Sequence, residues 1–398
     1  MRAVHLLVVV SLLAPTLAAQ SRLGPVERRP KLAAGVDTND ASGYFALGAR
    51  SLAERPDEAA AAFYWAARLD PSSADALGGR RAALVMRRPQ TLKLYMEGGR
   101  RARASKELIA MDTMQLRALR IDPLYYRKYD HTMLMAYYRT ELRRDYPTAS
   151  APEIDGAIRD YLTSGSDYMR GWVAYSEGRM AEALSNYELA MQRAKNKGYI
   201  RIERARVYTL QALLPAAIRE FRLASEDLKK LEADKEENVV FYNSSALVEH
   251  SMGVLYGRLG QVDSAKAALG RAITEDLSYF AAHLELGRIA LAEKDTATAI
   301  SELGLAAELA TDEPWVQYLH GNTLLGAGRH AEAVAALRKA IELEPFHADS
   351  RFALAQALEK SGQRAEAAEA YTQYLAIAPR RDQQHRAMAT ERAAGLRP

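Results

Sequence analysis

In the last third of the chain, small and apolar positions return on a fixed interval. Gly253, Gly287, Gly321 and Ala355 are each 34 residues apart; so are Ala265, Ala299, Ala333 and Ala367, and so are Ala272, Ala306, Ala340 and Tyr374. The second and third columns lie 12 and 19 residues after the first, and a turn signal stands between the first two: Gly260, Lys294-Asp295, Gly328 and Gly362. This spacing predicts two helices of about a dozen residues joined by a tight turn. A small side chain at the crossing lets two helix axes approach closely. Leu269, Leu303, Leu337 and Tyr371 then fill the gap toward the next period, and Pro345 and Pro379 end the second helices.

At these residues the sequence resembles the tetratricopeptide repeat family. The resemblance implies an all-α fold, a superhelical solenoid of antiparallel helix pairs. Carried backwards, the register finds Gly171, Gly178, Ala183, Tyr187 and Ala190 in a repeat from about 164 to 197, followed by a weaker one with Ala205, Tyr208, Ala217, Phe221 and Ala224. Near the N-terminus, Leu47-Gly48, Ala59, Phe63, Ala66 and Leu69-Asp70-Pro71 fit with a turn one residue shorter, and Leu77-Gly78 opens a further, degenerate copy. The expected plan is therefore N-terminal repeats over 41–84, a divergent helical insert over 85–163, two repeats over 164–240, four over 246–381 and a polar capping helix over 382–398. With 398 residues, 48% hydrophobic and few long apolar runs, the chain reads as one elongated array rather than two globular domains.

The first residues follow another pattern. Met1-Arg2, an apolar run from Val4 to Leu13 and the small residues of Pro15-Thr16-Leu17-Ala18-Ala19 read as a secretory signal peptide over 1–19. The run is shorter than the roughly 20 residues a membrane span needs. Cleavage would leave a periplasmic or secreted protein without stable membrane insertion. The chain has no cysteine, which excludes disulfides, thiol catalysis, cysteine-based metal sites and an acylated cysteine anchor.

Charge changes the picture only locally. With 54 Lys and Arg against 50 Asp and Glu, the whole chain carries no nucleic-acid signature. From Val85 to Tyr146, however, 14 basic residues face 7 acidic ones, beside seven tyrosines and half of the methionines. One reading of this stretch is a phosphate-, glycan- or acid-binding surface. The other is a divergent helical pair packed through Leu124, Tyr125, Met133, Met135, Tyr138 and Leu142, with the basic residues solvated.

Catalytic and cofactor motifs are missing from the sequence: there is no HExxH, no phosphate-binding GxxxxGK[ST], no GxSxG and no paired histidines at ligand spacing. Gly326-Ala327-Gly328-Arg329-His330-Ala331 matches a dinucleotide pattern in letters only, since it lies in a helix turn with no strand before it. No cofactor, metal or enzymatic activity is expected. What the family resemblance implies is recognition of a protein or peptide partner on the inner face of the first helices. Carried onto this sequence, that face holds Tyr168, Trp172, Tyr175, Tyr199, Arg206, His250, Arg258, Arg288, Trp315, Tyr318, Asn322, Phe352 and Gln356. The family's carboxylate clamp is not reproduced, because only Arg288 and Asn322 occupy comparable positions. The leading expectation is a non-catalytic exported scaffold; the alternative is an enzyme or carbohydrate-binding protein with its active surface on 85–163.

Overall fold

The computed structural model describes residues 22–97, 105–125, 129–233 and 244–396. The segment read as a signal peptide lies outside the described residues, as do residues 126–128 of the basic stretch. Among the described residues there are twenty helices and no strand. The fold is all-α, a solenoid of helix pairs.

The helices are α1 Ala41–Ser51, α2 Pro56–Leu69, α3 Ala74–Met86, α4 Pro89–Glu97, α5 Lys106–Ile121, α6 Asp130–Asp145, α7 Ala151–Ser164, α8 Asp167–Ser176, α9 Met180–Arg193 and α10 Gly198–Leu210. They continue as α11 Leu214–Ala233, α12 Ser245–Arg258, α13 Val262–Glu275, α14 Phe280–Ala292, α15 Thr296–Leu309, α16 Pro314–Gly326, α17 His330–Leu343, α18 Ala348–Lys360, α19 Arg364–Ile377 and α20 Gln383–Gly395.

Each repeat is built on one close crossing. A Cβ on Gly253 would lie 2.8 Å from the Leu269 side chain, on Gly287 2.6 Å from Leu303, and on Gly321 2.7 Å from Leu337, so only glycine permits these contacts. The same crossing recurs at Gly171 on Tyr187 and at Gly48 on Phe63, and Phe63 is also approached by Gly79. The turn between the paired helices is equally regular. Gly178, Gly260, Gly328 and Gly362 adopt positive φ, and in the same register Ala212 (φ 57°) and Lys294 (φ 63°) take the left-handed conformation at a steric cost of about 1 kcal/mol each.

The insert is helical throughout its described part. α6 and α7 pack against each other, with α7 opened by a capping box between Ser150 and Glu153. Ile154, Ile158 and Leu162 of α7 join Trp172 and Val173 of α8, and Leu134, Met135, Tyr138 and Leu142 of α6 pack onto them. At the other end, α20 closes the last repeat with Ala389, Ala393 and Leu396 buried against it.

The contacts divide the chain into two compact units. One holds described residues 22–51, 57–80 and 283–396; the other holds 52–56 and 81–282. This departs from a single array in which every repeat touches only its neighbours. Within the first unit, α2 meets the loop after α17 across 276 residues of sequence, where Arg68 donates to Glu344 at 3.1 Å. Arg22 reaches the same carboxylate at 3.2 Å, and all three side chains are buried. Trp65 stacks edge-on against Phe346 at 5.1 Å. Asp37 and Asp40 pair with Arg380 and Arg381 beyond α19. A paired and enclosed charge cluster of this kind holds N-terminal helices on C-terminal repeats, which the repeat register alone does not specify.

Candidate functional site

The thirteen inner-face positions fall into three groups. Trp172, Tyr175, Arg206, His250, Trp315 and Phe352 are buried. Tyr168, Tyr199, Tyr318 and Gln356 are half-buried, and Arg258, Arg288 and Asn322 are exposed. At the six buried positions the side chain is packed against other parts of the chain and is not open to a partner.

In the second unit the insert covers Trp172, while Tyr175 is packed in the core that α8 and α9 share with α10. Trp172 meets the His131 ring at 5.8 Å, and burial lowers the His131 pKa below its ordinary value. On α12, His250 Nδ1 lies 3.1 Å from the Tyr279 hydroxyl, and the Ser251 hydroxyl is 3.3 Å from the Pro123 carbonyl of the insert. The Arg120 guanidinium stands over the rings of Tyr279 and Phe280, at 6.0 and 5.4 Å. Arg206 donates to Glu203 one turn earlier at 2.7 Å. Of the residues expected to pack the insert, Tyr125 and Met133 are buried, and Leu124 packs on the core of α10 to α12. A cavity of about 250 Å³ remains between the insert and α8, lined by Tyr95, Met133, Met169 and Trp172, with Asp130 at its side and paired to the buried Arg81.

In the first unit Phe352 is a core residue, packed on Tyr374 at 5.0 Å and under His385 at 4.5 Å. Asp382 gathers the Tyr374 hydroxyl at 2.5 Å and His385 Nδ1 at 3.1 Å. Trp315 and Tyr318 border a larger cavity of about 320 Å³, closed on other sides by Leu69, Phe346, His347 and Pro379. Tyr318 stands edge-on to His347 at 5.1 Å, and burial pushes its phenol up to about 12. His347 itself is enclosed; its Nδ1 lies 2.7 Å from the Ser350 hydroxyl. Burial lowers its pKa to about 4, against the attraction of Asp70. Asp349 is shifted upward by the walls around it and by the charge of Asp382.

His347 makes the fold of this unit sensitive to acid. Above the unfolded value of about 6.5 the ring is neutral in both states, so it has no effect on stability. Below that value the unfolded chain takes up a proton that the folded chain refuses, and stability falls until about pH 4, by up to about 3 kcal/mol. The raised pKa of Asp349 works in the opposite sense, relieving an unfavourable charge on acidification. Urea unfolding between pH 7 and 4.5 should show a steeper loss for the native chain than for His347→Gln; equal slopes would remove His347 from the linkage.

No group of three or more metal-ligating side chains occurs among the described residues. Comparison with curated proteins finds no match. Among solved structures, the chain is similar to the C-terminal part of a TPR repeat-containing protein from Cytophaga hutchinsonii, at 17% identity over 53% of this chain and 78% of that one, with a TM-score of 0.43. It is also similar to YrrB, described as a TPR protein with an unusual peptide-binding site, at 18% identity over 52% and 97% of the two chains and a TM-score of 0.40. MamA from Desulfovibrio magneticus RS-1 matches at 17% identity over 46% and 95%, with a TM-score of 0.37. A family model described as tetratricopeptide repeat matches residues 250–314 and 318–382. Taken with the 34-residue register and the glycine crossings of α12 to α17, that match identifies residues 250–382 as tetratricopeptide repeats.

Proposed function

We propose that this protein is an exported, non-catalytic scaffold that holds a protein or peptide partner during cell-envelope assembly, secretion or complex formation. The observation that carries the reading is the division of the inner helix faces. Much of the aromatic surface is already used by the chain itself, while within the first unit Arg288 and Asn322 keep their access to solvent on the first helices α14 and α16. Interfaces draw their energy from a few anchors in partly enclosed pockets surrounded by polar residues. The cavity beside Trp315 and Tyr318, with Arg288 on its lining, has that composition. The signal-peptide reading of residues 1–19 supports export. No helix among the described residues is long and apolar enough to cross a membrane.

Affinity capture from an envelope extract tests the reading when run with the native chain and with Tyr318→Ala and Asn322→Ala. A partner kept by the native chain and lost, or weakened at least tenfold, in the Tyr318 variant is the expected result. Equal retention by all three proteins would take the partner site off these helix faces. N-terminal sequencing that finds intact Met1 on membrane-bound protein would overturn export.

A further inference from the structure

The cavity beside Trp315 carries a more specific chemistry than general adhesion. Its walls include three aromatic rings, those of Trp315, Tyr318 and Phe346, and two carboxylates, Asp70 and Asp349. Two guanidinium groups also border it, but each is already matched: Arg288 by Glu285 at 2.9 Å and Arg381 by Asp40 at 3.2 Å. Asp70 accepts from the Ser72 amide and hydroxyl, at 3.1 and 2.7 Å. For Asp349, the one basic nitrogen within 4.0 Å among the described residues is His347 Nε2, on a ring that burial keeps neutral at ordinary pH. The lining thus holds an exposed carboxylate with no lysine or arginine nitrogen within 4.0 Å, on which the charges of Arg381 and His385 act only from farther away, beside aromatic rings.

We propose that this cavity receives one cationic side chain, guanidinium or ammonium, presented by the partner polypeptide. The proposal rests on the scaffold reading above and deepens it by naming what the partner offers. A cation near an aromatic face is attracted by the ring quadrupole, and the attraction grows when water is excluded. The chain already uses this chemistry next door. The Arg68 guanidinium lies 4.5 Å over the Phe346 ring while it donates to Glu344, and Phe346 also lines the cavity. A volume of about 320 Å³ has room for one long side chain, at the lower end of the range for ligand pockets. An acidic side chain would meet Asp70 and Asp349 and would have to compete for arginines that are already paired.

Three small probes separate charge from shape: N-acetyl-arginine methylamide, its citrulline counterpart, which keeps the planar head without the charge, and N-acetyl-glutamate methylamide. The readout is the indole N–H resonance of Trp315, assigned with Trp315→Phe and followed by titration into the full chain. The arginine probe is expected to move this resonance with a Kd at least tenfold below that of the citrulline probe, and the glutamate probe to leave it in place. Asp349→Asn should raise the arginine Kd at least tenfold, whereas Asp263→Asn, at an exposed site on α13, should leave it unchanged. Equal arginine and citrulline affinities, tighter glutamate binding, or an unaffected Asp349→Asn variant would each overturn the proposal. Such a failure with partner capture intact removes only the cavity's charge preference. Loss of capture with probe binding intact removes the scaffold reading and leaves the cation site standing.

Discussion

Glu344→Gln is expected to lower the stability of the first unit by about 3–5 kcal/mol, because it leaves two buried guanidinium groups without a counter-charge. In the native protein Glu344 is fully buried, and both of its oxygens are engaged by Arg68 and Arg22, at 3.0 to 3.2 Å. The carboxylate also accepts from the Phe346 amide at 3.3 Å, so it fixes the loop that carries Phe346 and His347. Glutamine keeps the shape and loses the charge. Urea unfolding at neutral pH, followed by fluorescence of the nearby Trp65, measures the difference. A second variant separates charge from packing. In Arg22→Met/Arg68→Met/Glu344→Leu the whole triad becomes apolar, and removal of a complete buried ion cluster is often neutral or stabilising where removal of one member is not. Recovery of most of the lost stability in the triple variant is expected. A Glu344→Gln chain as stable as the native one would show that the triad is not what holds the N-terminal helices in place.

The repeats were legible in the sequence because each depends on a local rule. Gly at the crossing, Leu or Tyr opposite it and a residue able to take positive φ at the turn all lie within one period, and the structure uses Gly253, Leu269 and Gly260 in those roles. The degenerate N-terminal copy was harder to place: the close approach to Phe63 is made by Gly79, one residue past the Leu77-Gly78 that the register suggested. The inner-face residues could be placed on their helices but not assigned an exposure. Trp315 and Phe352 sit at positions that face inward in a free array, and nothing local to them announces that they are buried. That information is held in contacts such as Arg68 with Glu344 and Ser251 with Pro123, which join segments more than 100 residues apart. One signal was available. Arg68 lies on a helix rich in alanine and aromatics and Arg80 and Arg81 on one rich in alanine and leucine, and the structure buries all three with partners. Charged residues set into an otherwise apolar helix point to a partner surface elsewhere in the chain.

Ala333→Arg is expected to unfold the repeat built from α16 and α17, and to take the rest of its unit with it. Ala333 has no exposed surface and stands in the column of small residues that lets paired helices cross. It belongs to one continuous core with Leu337, Phe352, Ala367 and Tyr371, which spans two helix pairs and the capping helix. An arginine there must either bury an unpaired charge or push α16 and α17 apart, and either outcome costs several kcal/mol. Because neighbouring repeats share this core, the loss passes to α18 and α19 instead of staying local. The adjacent position provides the control. Glu332 is exposed and pairs with Arg329 on the surface, so Glu332→Arg changes charge by the same kind of substitution without touching the core. Melting followed by circular dichroism should show a large drop in Tm, or a chain recovered only as aggregate, for Ala333→Arg, and a small shift for Glu332→Arg. Similar melting temperatures for the two variants would mean that the small-residue column does not face the helix crossing, and would overturn the repeat register on which the fold is built.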